Sequence, residues 1–401
     1  MNFHLALGQK SSVLETQKEL TKQIDSVLNG AVHDHEIPGA VVLVAKNGKV
    51  LVHKAFGYRK LFNREGSATL KTPPKLSIEH LFDVASITKT FTTTGILLLV
   101  DRGQLQLDDT VAKYIPSFDR PDKKVITVRQ LLSHTSGLLG WYPLYYKANN
   151  KKEVYELIPN LPLDYTPGTQ RKYSDLGFTI LGQLIEVVSN KSLEAFMKQE
   201  IFFPLGMKNT GYTPMKSLPG RTFAASSLGN PYEYRMIRDS SLGFTRAEID
   251  PESWNQWRDY NLEGEVNDGN AWYAGKGVSG AAGIFSTAED LFKLANFWLS
   301  KGQSTTLSIV NKNLLAEFIT ADKFNNGLGW MMDANNSFMK NAPSGTFGHT
   351  GFTGTSIVLV PEKEIVFILL INRQQKGLLQ NKEYYNTNTI RRRLFESLMS
   401  H

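Results

Sequence analysis

The 401-residue chain contains no cysteine, which excludes disulfides, thiolate metal ligands and a cysteine nucleophile. Its 45 lysine and arginine residues exceed the 38 acidic residues by only +7, and they form no long basic run, so the charge does not favour nucleic-acid binding. A hydrophobic content of 41% at this length predicts one large α/β domain or two closely packed lobes.

The first predicted elements are a helix and a β-hairpin. Apolar residues recur at helical spacing over residues 15–32, which predicts an amphipathic helix. Residues 40–45 and 50–53 are rich in β-branched side chains and flank Asn47-Gly48, a strong hairpin signal.

The central part of the chain is predicted to be helical and rich in loops. Helical periodicity or apolar runs of helix length occur over residues 86–101, 128–134, 177–188 and 192–199. Residues 210–275 show turn residues and aromatics without a sustained period, which predicts long surface excursions that rim a site. Ser286 and Glu289 form a capping-box pattern that predicts a helix over residues 290–299.

The C-terminal part predicts a second hairpin and a closing helix. Residues 355–360 and 365–371 are β-branched and apolar runs around a turn at 361–364, and residues 389–399 have the pattern of a helix. Strands at both ends of the chain are therefore predicted to join one mainly antiparallel sheet. We expect an α/β fold with a sheet lobe at about residues 15–85 and 283–401 and an inserted helical lobe at about residues 86–282.

The first candidate chemical motif is Ser86-Ile87-Thr88-Lys89, which precedes an apolar helical run. A spacing of three residues puts both side chains on one helix face, so the lysine can reach the serine hydroxyl and help to activate it. The tetrapeptide alone is weak evidence, because Ser337-Phe338-Met339-Lys340 repeats it. No apolar helical run follows this second copy, so we interpret it as a loop.

The second candidate motif is Tyr173-Ser174-Asp175, between a Pro-Gly turn at Pro167-Gly168 and a predicted helix. A tyrosine beside a lysine can exchange a proton with a serine and return it to a leaving group. The alternative interpretation of Tyr173 is a ring that packs at the helix start.

The third candidate motif is His349-Thr350-Gly351, followed by Phe352 and the second hairpin. The absence of a side chain at Gly351 allows a substrate to approach the backbone, and the N–H of Phe352 can join that of Ser86 as an oxyanion hole. The alternative is a bulge beside a turn, with His349 as a structural residue.

In this order, the three motifs resemble the Ser-x-x-Lys, Tyr-x-Asn and Lys-Thr-Gly signatures of the serine β-lactamase and penicillin-binding-protein superfamily. The resemblance extends from about residue 20 to the C-terminus and includes Asp83-Val84-Ala85, residues 127–137 and Pro167-Gly168. The tyrosine motif is similar to class C β-lactamases, DD-peptidases and family VIII esterases rather than to class A enzymes.

The resemblance implies a β-lactamase/transpeptidase-like fold and a serine hydrolase that works through an acyl-enzyme on Ser86, with Lys89 and Tyr173 as proton-handling partners. It implies no cofactor and no metal. The substrates expected are a D-alanyl peptide of peptidoglycan type, a β-lactam or a small ester. The alternatives are a carboxylesterase without β-lactam activity and a catalytically silent penicillin-binding or scaffold homologue.

Two positions depart from the family pattern. Asp175 replaces the usual Asn and His349 replaces the frequent Lys. An ionised Asp175 beside Lys89 would favour the ammonium form and leave the role of base to Tyr173. His349 is expected to hold a substrate carboxylate less firmly than a lysine would. We also expect activity to rise through the neutral pH range as Tyr173 and Lys89 become able to accept a proton.

Further side chains are candidates for substrate contact. Trp141 and Tyr145 follow Gly140 and are predicted to rim the pocket, although aromatic residues more often pack in a core. The segment Glu265–Trp272 resembles a signature of bacterial hydrolases that we associate with cell-wall recycling. His33-Asp34-His35 lacks further converging ligands and does not predict a metal site.

The expected partner is a small molecule or a peptidoglycan fragment, not a nucleic acid, and the oligomeric state is left open. Met1–Gln17 contains no apolar run of signal-peptide length, and no later run approaches the length of a membrane span. As written, the chain is expected to be cytoplasmic. A processed N-terminus would instead make it periplasmic or associated with the cell wall.

Overall fold

The computed structural model describes residues 2–302, 310–332 and 338–400, with side chains from residue 17 onward. A main sheet contains five strands in the order β2-β1-β8-β7-β6, and a small sheet contains β3-β5-β4. The strands are β1 Gly39–Lys46, β2 Lys49–Gly57, β3 Phe82–Asp83, β4 Gly211–Tyr212, β5 Ile284–Ser286, β6 Phe347–Thr350, β7 Ser356–Val360 and β8 Ile365–Ile371.

The helices confirm the mixed α/β class. The α-helices of the described residues are α1 Asn2–His33, α2 Thr88–Asp101, α3 Val128–Leu132, α4 Lys151–Leu157, α5 Asp175–Ser189, α6 Leu193–Met197, α7 Pro214–Ser217, α8 Pro231–Arg238, α9 Ala288–Leu299, α10 Lys312–Phe318 and α11 Asn388–Met399. The predicted N-terminal helix is longer than its apolar pattern indicated. None of the helices in the described ranges is both long and apolar enough to cross a membrane.

Strands from both ends of the chain join the main sheet, as the two hairpins predicted. Strand β1 pairs antiparallel with β2 on one side and with β8 on the other, where Ala40 opposes Ile371 and Lys46 opposes Ile365. The two hairpins therefore form one continuous antiparallel sheet.

Strand β1 is buried on both faces, because the sheet lies between two helical layers. Val42 and Val44 share a core with residues of α1 and α11, whereas Val41 and Leu43 pack in the larger core that contains α2, α5 and α9. The continuous apolar run of β1 is explained by this sandwiched position rather than by a solvent-facing strand.

The capping box predicted before α9 is wrong in its register. Thr287, not Ser286, is the N-cap, and its side chain accepts a hydrogen bond from the N–H of Asp290. Ser286 is instead the last residue of β5, where its hydroxyl lies 2.8 Å from that of Thr210. Ser286 pairs with Phe82 of β3, so it belongs to the strand and the next residue, Thr287, caps the helix.

The small sheet connects segments that are distant in sequence. Strand β4 lies within residues 86–282, which we predicted to be a helical lobe, yet it pairs with β5. The division into two lobes with those boundaries stays a prediction. Ser337, the serine of the second Ser-x-x-Lys copy, lies outside the described residues, while the neighbouring Phe338 is buried against α11.

Candidate active site

Ser86 lies in a short 3₁₀-helix, Ala85–Ile87, that leads directly into α2. The preceding residue, Ala85, has a φ of 48°, a left-handed conformation that is uncommon for a residue with a side chain. Asp83 stabilises this turn by accepting hydrogen bonds from the N–H of Ala85 at 2.9 Å and of Asn267 at 2.6 Å. Burial raises the pKa of Asp83 to about 6, although both N–H groups oppose the shift. The turn presents Ser86 on its half-buried side.

Lys89 is fully buried one turn after Ser86, and its Nζ has three oxygen atoms as polar partners. Its Nζ donates to Ser86 Oγ at 3.1 Å and to the carbonyl oxygen of Ala281 at 2.9 Å, and it lies 2.7 Å from Asp175 Oδ1. Burial disfavours the ammonium, but the charges and hydrogen bonds of Asp175 and Tyr173 outweigh it, so the pKa of Lys89 is above its ordinary value. Lys89 is therefore an ammonium at neutral pH.

Tyr173 and Asp175 are brought to this point by the start of α5. Ser174 is the N-cap of the helix, and its hydroxyl accepts from the N–H of Gly177. The Lys89 Nζ lies 5.1 Å from the centre of the Tyr173 ring, on its face. Burial raises the pKa of Tyr173, Lys89 opposes that rise and Asp175 adds to it, so Tyr173 is a phenol at neutral pH. Tyr173 as a whole residue keeps 36% of its surface exposed, and it lines the pocket described below.

His134 supports Tyr173 from behind. Its ring centre is 4.5 Å from that of Tyr173, and its Nδ1 accepts a hydrogen bond from the N–H of Ser174 at 3.1 Å. Burial lowers the pKa of His134 below its ordinary value, and the charges of Arg171 and Lys89 lower it further. A neutral ring with a fixed tautomer therefore orients the start of α5.

His349 lies on β6 with its ring centre 6.2 Å from that of Tyr173. Its Nδ1 lies 2.9 Å from the carbonyl oxygen of Thr350. Burial, helped by the charge of Lys89, lowers the pKa of His349 to about 3. His349 is thus neutral at physiological pH and supplies no positive charge to a substrate carboxylate.

Strand β6 ends against the Ser86 turn. A Cβ at Gly351 would lie 2.5 Å from the carbonyl oxygen of Val84 and 2.1 Å from Thr355 Oγ1, so only glycine permits this approach. The next residue, Phe352, lines the pocket, and among the described residues no backbone or side-chain acceptor takes its N–H. Thr350 and Gly351 do not line this pocket.

Ser86 lines a pocket of about 460 Å³. Of the residues predicted for the site, Ser86, Trp141, Tyr173, Asp175 and Phe352 line it. Trp141 is 6% exposed and its ring packs edge-on against Phe244 at 5.8 Å.

Tyr145 does not rim the pocket, although it was expected to do so because it lies close to Trp141 in the sequence. Only 3% of its surface is exposed, because its ring packs among Trp254, Trp257 and Tyr273.

Comparison with known proteins identifies the family. The family model described as Beta-lactamase matches residues 24–388. The chain belongs to the β-lactamase family.

The chain is 33% identical to the N-acetylmuramyl-L-alanine amidase of Bacillus subtilis (strain 168), over 87% of this chain and 80% of that one. It is 31% identical to a putative D-alanyl-D-alanine carboxypeptidase of Escherichia coli (strain K12), over 88% of this chain and 82% of that one. Together with the family model, these relatives show a serine hydrolase that acts through an acyl-enzyme.

Solved structures confirm the β-lactamase-family fold. The octameric penicillin-binding protein homologue from Pyrococcus abyssi has a TM-score of 0.69 at 22% identity, covering 95% of this chain and 77% of that one. EstCE1, a hydrolase with promiscuous acyltransferase activity, has a TM-score of 0.68 at 22% identity, covering 94% and 99%. The D-amino acid amidase of Ochrobactrum anthropi SV3 has a TM-score of 0.68 at 20% identity, covering 95% and 99%.

Sequence reasoning missed part of the pocket of this β-lactamase-family hydrolase. Asn267 and Asp268 lie in the segment noted only for its resemblance to a bacterial signature, and Glu233 lies on α8, within a region predicted to be loops. A helix of only eight residues, three of which are charged, followed by irregular backbone, gives little signal. The segment Glu265–Trp272 was the one available pointer, because it combines acidic, amide and glycine residues that suit a polar site.

Proposed function

We propose that Ser86 is the nucleophile of this hydrolase, with Tyr173 as its proton acceptor and Lys89 as a fixed positive charge. The supporting observation is the contact of 3.1 Å between Ser86 Oγ and Lys89 Nζ at the wall of an open pocket, with Asp175 2.7 Å from the same Nζ. A serine hydroxyl needs a neighbouring group that accepts its proton before it attacks a carbonyl carbon.

The charge state of Lys89 decides how the proton moves. Because the ion pair with Asp175 keeps Lys89 protonated, the lysine is a poor base in the resting enzyme. The phenolate form of Tyr173, which the ammonium of Lys89 stabilises and which is the minor form at neutral pH, accepts the proton of Ser86 and becomes a phenol. From the motifs alone, activity is expected to rise through the neutral range. Because the pKa values of Lys89 and Tyr173 both lie above their ordinary values, we expect the rise on the alkaline side instead.

Bond changes follow from this assignment. The Oγ of Ser86 bonds to the substrate carbonyl carbon. The carbonyl oxygen of the substrate then becomes an oxyanion, which the N–H groups of Ser86 and Phe352 hold. The bond to the leaving amine or alcohol then breaks, and the leaving group takes the proton from Tyr173. Water adds to the acyl-enzyme by the reverse proton path and releases a carboxylic acid.

We propose an amide substrate of peptidoglycan type. The two relatives described above, from Bacillus subtilis and Escherichia coli, carry the names of amide-bond hydrolases. A carboxylesterase is the second candidate. The neutral His349 favours it, because a simple ester needs no cation for a carboxylate.

Active-site labelling tests this proposal. The full chain is incubated with a fluorophosphonate and, separately, with a fluorescent penicillin, and the labelled peptide is identified by mass spectrometry. Label on Ser86 that is lost in Ser86→Ala supports the assignment, with Ser337→Ala as the control from the second motif copy. A stable penicillin adduct on Ser86 indicates penicillin-binding behaviour, and label from the phosphonate alone indicates an amidase or esterase without it. Absence of label on Ser86 from both reagents would indicate a silent homologue and refute the proposal.

A further inference from the structure

Two clefts meet at the short helix α7, and neither shares a described lining residue with the pocket of Ser86. One cleft, of about 650 Å³, is lined by Met215 and Lys216 of α7, and the other, of about 540 Å³, is lined by Ser217. Thr213, the residue before α7, lines both clefts, so the two adjoin. We call the two clefts and their rims the α7 surface.

Two large apolar side chains of the α7 surface are exposed to water. Phe203 is 84% exposed, more than any other large apolar residue in the described part of the chain, and Met215 is 54% exposed. Phe203 directly follows a short π-helix, Lys198–Phe202. Within it, Phe202 is buried and packs edge-on against Phe91, with 5.6 Å between ring centres. Core packing therefore explains Phe202 but not Phe203, and an exposed apolar surface of this kind marks an interaction site.

Exposed lysines accompany both apolar side chains. Two of them line the cleft of Phe203 and two line the cleft of Met215: Lys198, Lys208, Lys216 and Lys276. None of the four forms an ion pair with an acidic residue that the structure describes. The acid among the described lining residues of the two clefts is Glu194. The α7 surface therefore carries an excess of uncompensated positive charge around its apolar side chains.

The cleft beside Met215 adds aromatic rings to this combination. Trp257, Tyr260 and Trp272 line it and are each partly exposed. Indole and phenol rings are enriched where a membrane meets water, because they combine an apolar body with a polar group that stays hydrated.

The combination of side chains favours one kind of partner. A protein partner is disfavoured, because lysine is depleted in protein–protein interfaces. A dissolved polyanion would attract the lysines but would leave Phe203 and Met215 in water. A membrane that contains anionic lipids suits both, because its headgroups attract lysine while the boundary with the acyl chains takes up apolar side chains.

We propose that the α7 surface binds the surface of a membrane that contains anionic lipids. Phe203 and Met215 enter the boundary between headgroups and acyl chains, and the four lysines contact the lipid phosphates. This inference goes beyond the proposed function of Ser86 and does not depend on it, because the α7 surface and the Ser86 pocket have different lining residues.

Co-sedimentation of the full chain with lipid vesicles tests the proposal. Vesicles of phosphatidylcholine alone are compared with vesicles of phosphatidylcholine and phosphatidylglycerol in equal parts. We expect binding to the anionic vesicles to be at least about tenfold tighter and to weaken as salt is added. Phe203→Ser should weaken this binding at least about threefold, and Lys198→Gln combined with Lys208→Gln at least about fivefold.

Matched controls change the same kinds of side chain outside the two clefts. Val125→Ser replaces another apolar residue that is 54% exposed, and Lys49→Gln combined with Lys124→Gln removes the same net charge from exposed positions. Both controls should bind the anionic vesicles as the unchanged protein does. A thermal melt of each variant shows that it is folded.

Three outcomes would overturn the proposal. The first is equal binding to both kinds of vesicle or binding to neither, and the second is an equal loss in the control variants. The third is full binding by Phe203→Ser, since a purely electrostatic attraction to any polyanion would then explain the sedimentation. Labelling of Ser86 by a fluorophosphonate is measured without vesicles, so failure of the membrane proposal is distinguished from failure of the nucleophile assignment.

Discussion

Asp175→Asn should move the pH profile of Ser86 acylation toward acid. The substitution removes a negative charge 2.7 Å from Lys89 Nζ but keeps the shape of the side chain. At an effective dielectric constant of about 20, opposite unit charges at this separation attract by about 6 kcal/mol. Asp175 raises the pKa of both Lys89 and Tyr173, so its loss lowers the pKa of whichever group accepts the proton.

The size of the shift is limited by solvent. Asp175 keeps 27% of its side chain exposed, so only part of the attraction is expected to appear. We therefore expect the pH profile to move by at least about one pH unit. This shift corresponds to about 1.4 kcal/mol, less than a quarter of the attraction between the two charges.

The assay is the second-order rate of fluorophosphonate labelling of Ser86, measured from mildly acid to alkaline buffer in both forms. Asp122→Asn serves as the control, because Asp122 is an exposed acid, 51% exposed, paired with Lys123. A profile that superimposes on the wild type, or that moves toward alkali, would refute the role of Asp175 as the group that keeps Lys89 charged. A thermal melt of each variant excludes a loss of fold as the cause.

Three further predictions follow from the packing and charge of the site. Gly351→Ala should reduce acylation of Ser86 at least about tenfold, because the new Cβ would lie 2.1 Å from Thr355 Oγ1. Gly30→Ala is the matched control, because no atom lies within 4 Å of its new Cβ, and it should stabilise helix α1 by about 0.5–1 kcal/mol in a denaturant titration. Glu233→Gln should raise the melting temperature by a few °C in alkaline buffer and change it little in acid. The pKa of Glu233 in the folded protein, about 8, exceeds its value in the unfolded chain, so this carboxyl makes the folded protein less stable as the pH rises toward 8. An equal change of melting temperature at both pH values would contradict this prediction. His349→Lys should accelerate acylation by an anionic penicillin about tenfold relative to a neutral ester, and unchanged relative rates would show that this position does not meet the substrate carboxylate.

The sequence predicted those parts of the site that depend on local spacing. Ser86 and Lys89 meet because they are three residues apart on one helical turn, and Tyr173 precedes a recognisable helix start. The sheet was also predictable, because an Asn-Gly turn and β-branched runs carry their own pairing signal.

The remaining contacts depend on long-range packing. Asp83 binds the backbone of Asn267, 184 positions later, and Lys89 donates to the carbonyl of Ala281, 192 positions later. No periodicity links such residues, and backbone acceptors leave no trace in the side-chain pattern. Tyr145 shows the opposite error, since an aromatic residue beside a pocket residue can equally face the core.

The pairing of β1 with β8 has a consequence for how the protein is made. The edge of β1 that meets β8 is an apolar segment whose partner is synthesised more than 300 residues later. Throughout that interval the nascent chain carries an open strand edge of the kind that recruits other chains. Production of this enzyme in a cell should therefore depend strongly on translation speed and on factors that shield emerging polypeptides from one another.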